Sequence, residues 1–588
     1  MNQKFVLKAL CLALLVATTV SCSKSNKYKG SSRATGWDVT GKSGGFKLNT
    51  DYEEQATGPG LVFVEGGTFT MGKVQDDVMH DWNNSPNQQH VQSFYMDETE
   101  VTNAAYLEYL DWIKTVFPPT EPNYRNIYAG AIPDTLVWRN RLGFNENMTE
   151  NYLRHPAYAE YPVVGVNWVQ AVEFSNWRTN RVNELILEEE GYTSEGARYE
   201  VDAGSTFDTE TYLNAPTMAY GGSDELTRGG KASERKINES NKRNERAAAR
   251  RGNDDDAAAD TVPTDTDDGD GVAAVGDATN IYVQRKDGIL LPNYRLPTEA
   301  EWEFAAIGLG GLRSYNTYRG RKKYPWDGAY TRSGSRKSRG DQLANFKQGD
   351  GDYGGIAGWS DDNADITAAV QSYPANDYGL YDMAGNVSEW VADVYRPIVD
   401  DEFNDFNYYR GNVYTKNSIG SDGMIKVVTA DSIVYDTLAN GKVIARDLPG
   451  EIAQVPVDEN ETYMRTQFSK SDNRNYRDGD TRSTRYFDEF EEGEMQGKRM
   501  YDSPRHSVST DSASGKLNRK YDESNTRTSL VNDEVRVYKG GSWRDRAYWL
   551  DPAQRRFLPQ GMATDDLGFR CAMSRVGSKS KERKRPRN

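Results

Sequence analysis

Cysteine is scarce: Cys11, Cys22 and Cys571 are the only three in 588 residues. That scarcity excludes a disulfide framework, because Cys11 lies in a leader-like stretch, Cys22 belongs to an attachment motif, and Cys571 is left alone. Histidine is also rare, and His80, His90, His155 and His506 are too scattered for a metal-ligand pair at helical spacing. No glycine-rich phosphate loop or nucleophile elbow stands out. Positive charge is in deficit, with 72 basic against 88 acidic residues and a net charge of -16, which argues against a nucleic-acid binder. Long apolar runs are missing too; the one from Ala9 to Val20 is too short to span a bilayer as a mature helix.

That run, preceded by Lys4 and Lys8, reads as an export signal. It ends in Thr19-Val20-Ser21-Cys22, which resembles a relaxed bacterial lipobox, so residues 1–21 are expected to be removed and Cys22 acylated. Each buried methylene contributes about 0.8 kcal/mol, so two or three acyl chains would anchor the protein almost permanently. Residues 22–59 would then be a lipidated linker. Ser23-Lys24-Ser25-Asn26-Lys27 lacks an acidic cluster, and for lipoproteins of the group this leader resembles that absence implies the periplasmic face of an outer membrane. At the other end, residues 576–588 form a basic tail with Lys579, Lys581, Arg583, Lys584, Arg585 and Arg587, the kind of charge run that is usually solvated.

Between these ends the apolar segments come as three islands, roughly 60–185, 291–394 and 534–575, so a single interrupted domain over 60–575 is expected. The intervening 186–290 and 395–533 read as insertions. The first is dominated by Arg243 to Arg251 and by acids from Asp254 to Asp270, and on that composition it is expected to bury no core. The second carries interspersed apolar residues over Met424–Tyr435 and Val443–Val457 that suit a few strands. Helix starts are clear within the islands. Thr102 precedes Tyr106, Leu110, Ile113 and Phe117; Asn167 precedes Trp168, Ala171, Phe174 and Trp177; Thr298 and Glu301 form a capping box with Gly308 at the far end. A few helices among short strands and turns make an α+β domain.

Six segments follow one another in a recognisable order: GLVFVEGGTFTMG from Gly60, YMDETEVTNAAY from Tyr95, YPVVGVNWVQAVEFSNW from Tyr161, YRLPTEAEWEFAA from Tyr294, YPANDYGLYDMAGNVSEWVAD from Tyr373, and YKGGSWRDRAYW with LGFRC from Tyr538. Together they resemble the formylglycine-generating enzyme, or sulfatase-modifying factor, family. The resemblance implies a compact fold related to C-type lectin-like domains, with little regular secondary structure and stabilised by calcium. It places one calcium site on Asp382, Glu389 and the carbonyls of Gly385 and Val387. A second falls on Asn345, the carbonyl of Phe346, Asp362 and the carbonyl of Ala364. By residue type alone, two acids at the spacing of Asp382 and Glu389 suit turn capping or pairing with arginines better than a metal site.

In catalytic members of that family two cysteines hold copper(I), which prefers soft thiolates. Those positions fall here on Asp545 and Leu550, so no copper and no family catalysis are expected. Cys571, alone in LGFRC, reads as buried packing.

A lipobox, a core without its thiols and long insertions together resemble the gliding-motility lipoproteins of gliding Bacteroidetes. This second resemblance implies a scaffold in gliding and type IX secretion, with other gliding-motility proteins such as GldK as partners. Two alternatives remain open at this point: an enzyme with altered chemistry in the same cleft, and a lectin-like binding module using Trp326, Trp359, Trp543 and Trp549 as stacking platforms.

Overall fold

A computed structural model describes residues 54–72, 86–139, 145–251, 281–308, 322–348, 364–395, 413–456 (439 apart) and 535–577, with short pieces at 30–39 (33 apart), 471–472, 506–510 and 517–521. Cys22, Trp359, Asp362, the acidic run Asp254 to Asp270 and the tail from Lys579 lie outside the described residues. The chain divides into two units, residues 1–54 with 578–588, and Gln55–Gly577. In the first, a small loop is closed by a bridge between Ser31 and Asp38.

Local capping chemistry sets the three main helices of the second unit. In α1 (Asn103–Val116) the Thr102 hydroxyl accepts from the Ala105 amide, and Tyr106, Leu110, Ile113 and Val116 form the buried stripe. The helix stops ahead of Pro118, since a residue before proline avoids the helical region. At the start of α2 (Trp168–Glu189), Asn167 and Gln170 cap each other reciprocally at 2.9 and 3.0 Å. The same device opens α3 (Glu299–Ile307) through Thr298 and Glu301, and Gly308 closes it at φ +56°.

Two four-stranded sheets hold these helices. The first runs β1 (Leu61–Val64), β4 (Phe94–Asp97), β10 (Ala572–Ser574), β5 (Tyr294–Arg295) in spatial order, and the second β8 (Arg556–Pro559), β7 (Val535–Lys539), β6 (Ser388–Val394), β9 (Leu567–Phe569). A hairpin of β2 (Gly67–Met71) and β3 (Asn87–Val91) packs on α3 through the edge-to-face pair Phe69–Phe304. Strand β9 lies parallel to β6 in one sheet, and β10, three residues on, pairs antiparallel with β4 in the other. Arg570 and Cys571 therefore sit at the switch between sheets, and both are fully buried. Last-island strands thus complete sheets begun by the first two islands.

The insertions themselves depart from expectation in one respect. Leu187, Phe207, Tyr212, Tyr220, Leu226 and Val283 pack into a separate small core, so the stretch 186–290 does bury apolar surface. Composition hid this because those residues are sparse; helices Thr209–Asn214 and Asp224–Arg228, capped by Asp208 and Ser223, bring them together. In the second insertion the expected strands are present. The hairpin Tyr435–Thr437 and Val443–Ala445 places Leu438, Ile444 and Ala445 in the main core. It comes so close to helix Arg125–Ala131 that a Cβ on Gly130 would lie 2.7 Å from the Val443 carbonyl oxygen.

Candidate functional site

The turn that leads into β6 is built from residues in the left-handed region, with φ of +55° at Asp382, +80° at Gly385 and +60° at Asn386. Aspartate and asparagine tolerate this conformation, and at Gly385 any side chain is barred because a Cβ would lie 2.3 Å from the Asn345 carbonyl oxygen. Neighbouring segments clamp the turn. The Asn386 amide donates to Asn345, the Gly385 amide to Gly540, and the Trp543 amide to the Asn386 carbonyl.

Beneath it sits a cluster of buried charges. Glu389, fully buried on β6, takes a two-point ion pair from Arg570, with Nε to Oε2 at 2.7 Å and Nη2 to Oε1 at 2.6 Å, and the Trp302 indole N–H at 2.7 Å. Arg570 also donates to the carbonyls of Asp97 and Tyr381. Glu100 accepts from the Val387 amide and the Asn386 side chain, at 3.1 and 2.7 Å. Asp382 accepts from the Gln371 amide at 3.0 Å. Burial, reinforced by Asp382 and Glu389, pushes Glu100 well above the carboxylate range. Asp382 is pushed up to about 6, again chiefly by burial. Three carboxyl groups thus face one guanidinium.

The structure gathers the first predicted ligand set in this turn. Glu389 is paired with an arginine, as its residue type alone allowed, yet the local excess of acid is the environment a divalent cation relieves. Among the described residues no group of three or more His, Cys, Asp or Glu side chains is arranged to hold a metal. A cation here would rest on Asp382, Glu389 and the carbonyls of Gly385 and Val387. Of the second set, the Asn345 side chain donates to the Ile366 carbonyl, which ties its segment to the one containing Ala364, and Phe346 is buried against Leu550.

The two positions at which family catalysis needs thiols are filled differently. Leu550 is fully buried beside Tyr324, Phe346 and Ala384. Asp545 forms a two-point ion pair with Arg556 at 2.7 and 2.6 Å and accepts from the Ser542 hydroxyl at 2.6 Å. Arg556 also donates to Ser388 and lies over the rings of Tyr538 and Trp549. Cys571 sits 3.4 Å from the Ser175 hydroxyl, and burial raises its thiol to about 12, so it is an inert packing group. Of the aromatic platforms, Trp543 is core, Trp326 stacks on Tyr324 at 5.0 Å, and Trp549 has a face covered by Arg556. His155 caps its own turn and His90 bonds Thr68.

Glu100, Arg556 and Arg570 are the site residues that sequence reasoning did not single out. Glu100 and Arg570 stand inside two of the six matching segments, which was the available signal.

A compact α+β domain whose two sheets are pinned by a buried carboxylate–arginine cluster under a left-handed turn defines the structural class. Residues 47–426 match the family model described as sulfatase-modifying factor enzyme 1-like domain, and the chain belongs to that family. Among its relatives, the mouse inactive C-alpha-formylglycine-generating enzyme 2 is 39% identical over 107 residues, 18% of this chain and 28% of that protein. The formylglycine-generating enzyme of Thermomonospora curvata is 40% identical over 116 residues, 19% of this chain and 32% of that one. The chain thus matches a third or less of the length of these relatives. Among solved structures, PvdO from Pseudomonas aeruginosa is similar at TM-score 0.33 and 13% identity, covering 88% of this chain and all of that one.

Proposed function

We propose that this protein is a non-catalytic scaffold, anchored through an acylated Cys22 at the periplasmic face of an outer membrane. The observation that carries the proposal is the occupancy of the two thiol positions. Asp545 is committed to Arg556 and Leu550 to the core, so neither position offers copper(I) a soft ligand. Family members named as inactive, such as the mouse relative, offer precedent for the fold without the chemistry.

A calcium ion held by Asp382, Glu389 and the carbonyls of Gly385 and Val387, with a second near Asn345, Phe346, Asp362 and Ala364, would serve stability. The arrangement of leader, core and insertions is most like the gliding-motility lipoprotein GldJ. On that basis its role is structural, within gliding motility and type IX secretion, with partners such as GldK. No helix among the described residues is long and apolar enough to cross a membrane, and the proposed anchor is lipid alone.

The test is to purify the native protein from membranes after crosslinking, identify what accompanies it, and compare secretion and motility in a deletion strain. Co-purified motility proteins together with lost gliding support the proposal. Solitary purification with normal gliding and secretion contradicts it.

A further inference from the structure

The chain carries a net charge of -16, yet one stretch runs against it. From Phe304 to Gly340 there are nine basic residues and a single acid, Asp327, with Asp341 the next acid along. Of these bases, Lys322 is buried and pairs with Asp327 and Asp377 at 3.2 and 2.7 Å. Arg332, Arg336, Lys337 and Arg339 are exposed instead, and they stand together on one hairpin loop.

Main-chain bonds make that loop a fixed platform. Arg332 and Gln342 form a bridge, and the Leu343 amide donates to the Thr331 carbonyl at 2.9 Å. The Ser333 amide donates to the Asp341 carbonyl at 2.8 Å and the Gly340 amide to the Ser333 carbonyl at 3.0 Å. Nearer the tip the Ser333 and Ser338 hydroxyls lie 2.8 Å apart, and the Arg332 guanidinium donates to the Gly340 carbonyl at 2.7 Å. At the base the Trp326 indole N–H donates to the Tyr330 carbonyl at 2.8 Å, while Tyr330 itself is 80% exposed. Beside it lies an open hollow of about 490 Å³ lined by Asp327, Gly328, Tyr330, Thr331, Arg332 and Gly334. Among the described residues, the side chains of Arg336, Lys337 and Arg339 take part in no ion pair and no hydrogen bond. A rigid loop therefore presents three uncommitted cations and an aromatic ring to solvent.

We propose that this loop docks on an anionic phospholipid surface. A bilayer presents a plane of separate phosphates, which exposed cations meet one by one, whereas a site for a single small ligand gathers its polar groups into a concave pocket. Tyrosine settles at the level of the headgroups, so Tyr330 adds a contact that an acidic peptide does not require. The hollow beside it has room for a headgroup, and Lys322 already offsets the carboxylate of Asp327 there. The remainder of the acidic chain is repelled by the same surface, so contact through this loop sets which face of the domain turns to the membrane. Each cation contributes about fivefold to binding, and the attraction fades within a Debye length of about 8–10 Å. Acylation at Cys22 would bring the loop to a membrane, but the docking is read without it, so the two readings fail separately.

The test uses the chain from residue 22 onward with Cys22→Ser, which removes acylation and keeps both insertions and the basic tail. Co-sedimentation measures its binding to vesicles of equimolar phosphatidylglycerol and phosphatidylcholine, to vesicles of phosphatidylcholine alone, and to beads carrying polyglutamate. Binding to the anionic vesicles is expected, absent from the neutral ones and abolished by about 0.5 M salt. Arg336→Gln, Lys337→Gln and Arg339→Gln together should weaken it about tenfold or more. The melting temperature should hold in that variant, because these side chains tie nothing together in the fold. No binding to the anionic vesicles overturns the proposal. So does binding that the triple variant keeps in full, which would assign it to the tail from Lys579, or capture by polyglutamate without capture by vesicles.

Discussion

Two ion clusters, one buried beneath the 382–389 turn and one partly buried at Asp545, differ in their surroundings. Under the 382–389 turn, Glu100, Asp382 and Glu389 share the single guanidinium of Arg570, so acid is in excess. At the thiol positions, Asp545 forms a two-point ion pair with Arg556, Asp566 shares the Ser542 hydroxyl with it and acts on the same guanidinium, and Leu550 packs nearby as an ordinary core residue. The proposed cation belongs to the first cluster, where it would offset buried acid. On the proposed reading, the family framework is kept where it holds the sheets together and closed at Asp545 and Leu550.

The sharpest way to break this contrast is Glu389→Ala. It strands the fully buried Arg570 and the Trp302 indole, and a loss of about 3–5 kcal/mol in denaturant unfolding is expected. A loss under about 1 kcal/mol would mean that Arg570 finds another partner. Next comes calcium. Adding it at about a hundredfold excess over its dissociation constant should stabilise by about 3 kcal/mol, and a chelator should reverse the gain in a melting experiment. An unchanged melting temperature would remove the cation from the first cluster.

A third cluster refines the comparison. Asp393, also on β6, accepts from the Glu299 amide at 2.6 Å, and burial next to Glu299 raises it from 3.8 to about 7. Its folded form holds a proton that the unfolded chain releases above roughly pH 4, so this group's contribution falls as pH rises through about 7 and grows as pH drops. Between about pH 8 and pH 5.5 it should add on the order of 2 kcal/mol, and Asp393→Asn should flatten that slope. The smallest effect belongs to Asp545→Asn, which keeps an acceptor for a partly solvated Arg556 and should cost about 1 kcal/mol. Asp545 is thus a structural residue of the loop and not the indifferent surface position that a missing catalytic group would leave.

Capping made the helices legible: Thr102, Asn167 and the Thr298–Glu301 box state where each begins, because the signal and its partner lie within three residues. The turn was legible through the family resemblance that placed Asp382, Gly385 and Glu389, and not through their spacing alone. Its counterpart was not, since Glu100 reaches Asn386 across 286 positions of sequence and Arg570 reaches Glu389 across 181. Nothing local distinguishes such residues from solvated charges. The small core of the first insertion escaped notice for a related reason. Phe207, Tyr220 and Leu226 are too far apart to show a period, and only the folded loops assemble them.

The central claim is that Asp545 and Leu550 close the site to thiol-copper chemistry. The direct measurement is to supply the purified protein with copper(I), oxygen and a cysteine-containing sulfatase peptide, and to follow the peptide by mass spectrometry. The account predicts no protein-dependent conversion of cysteine to formylglycine. Conversion that rises with protein concentration would contradict it.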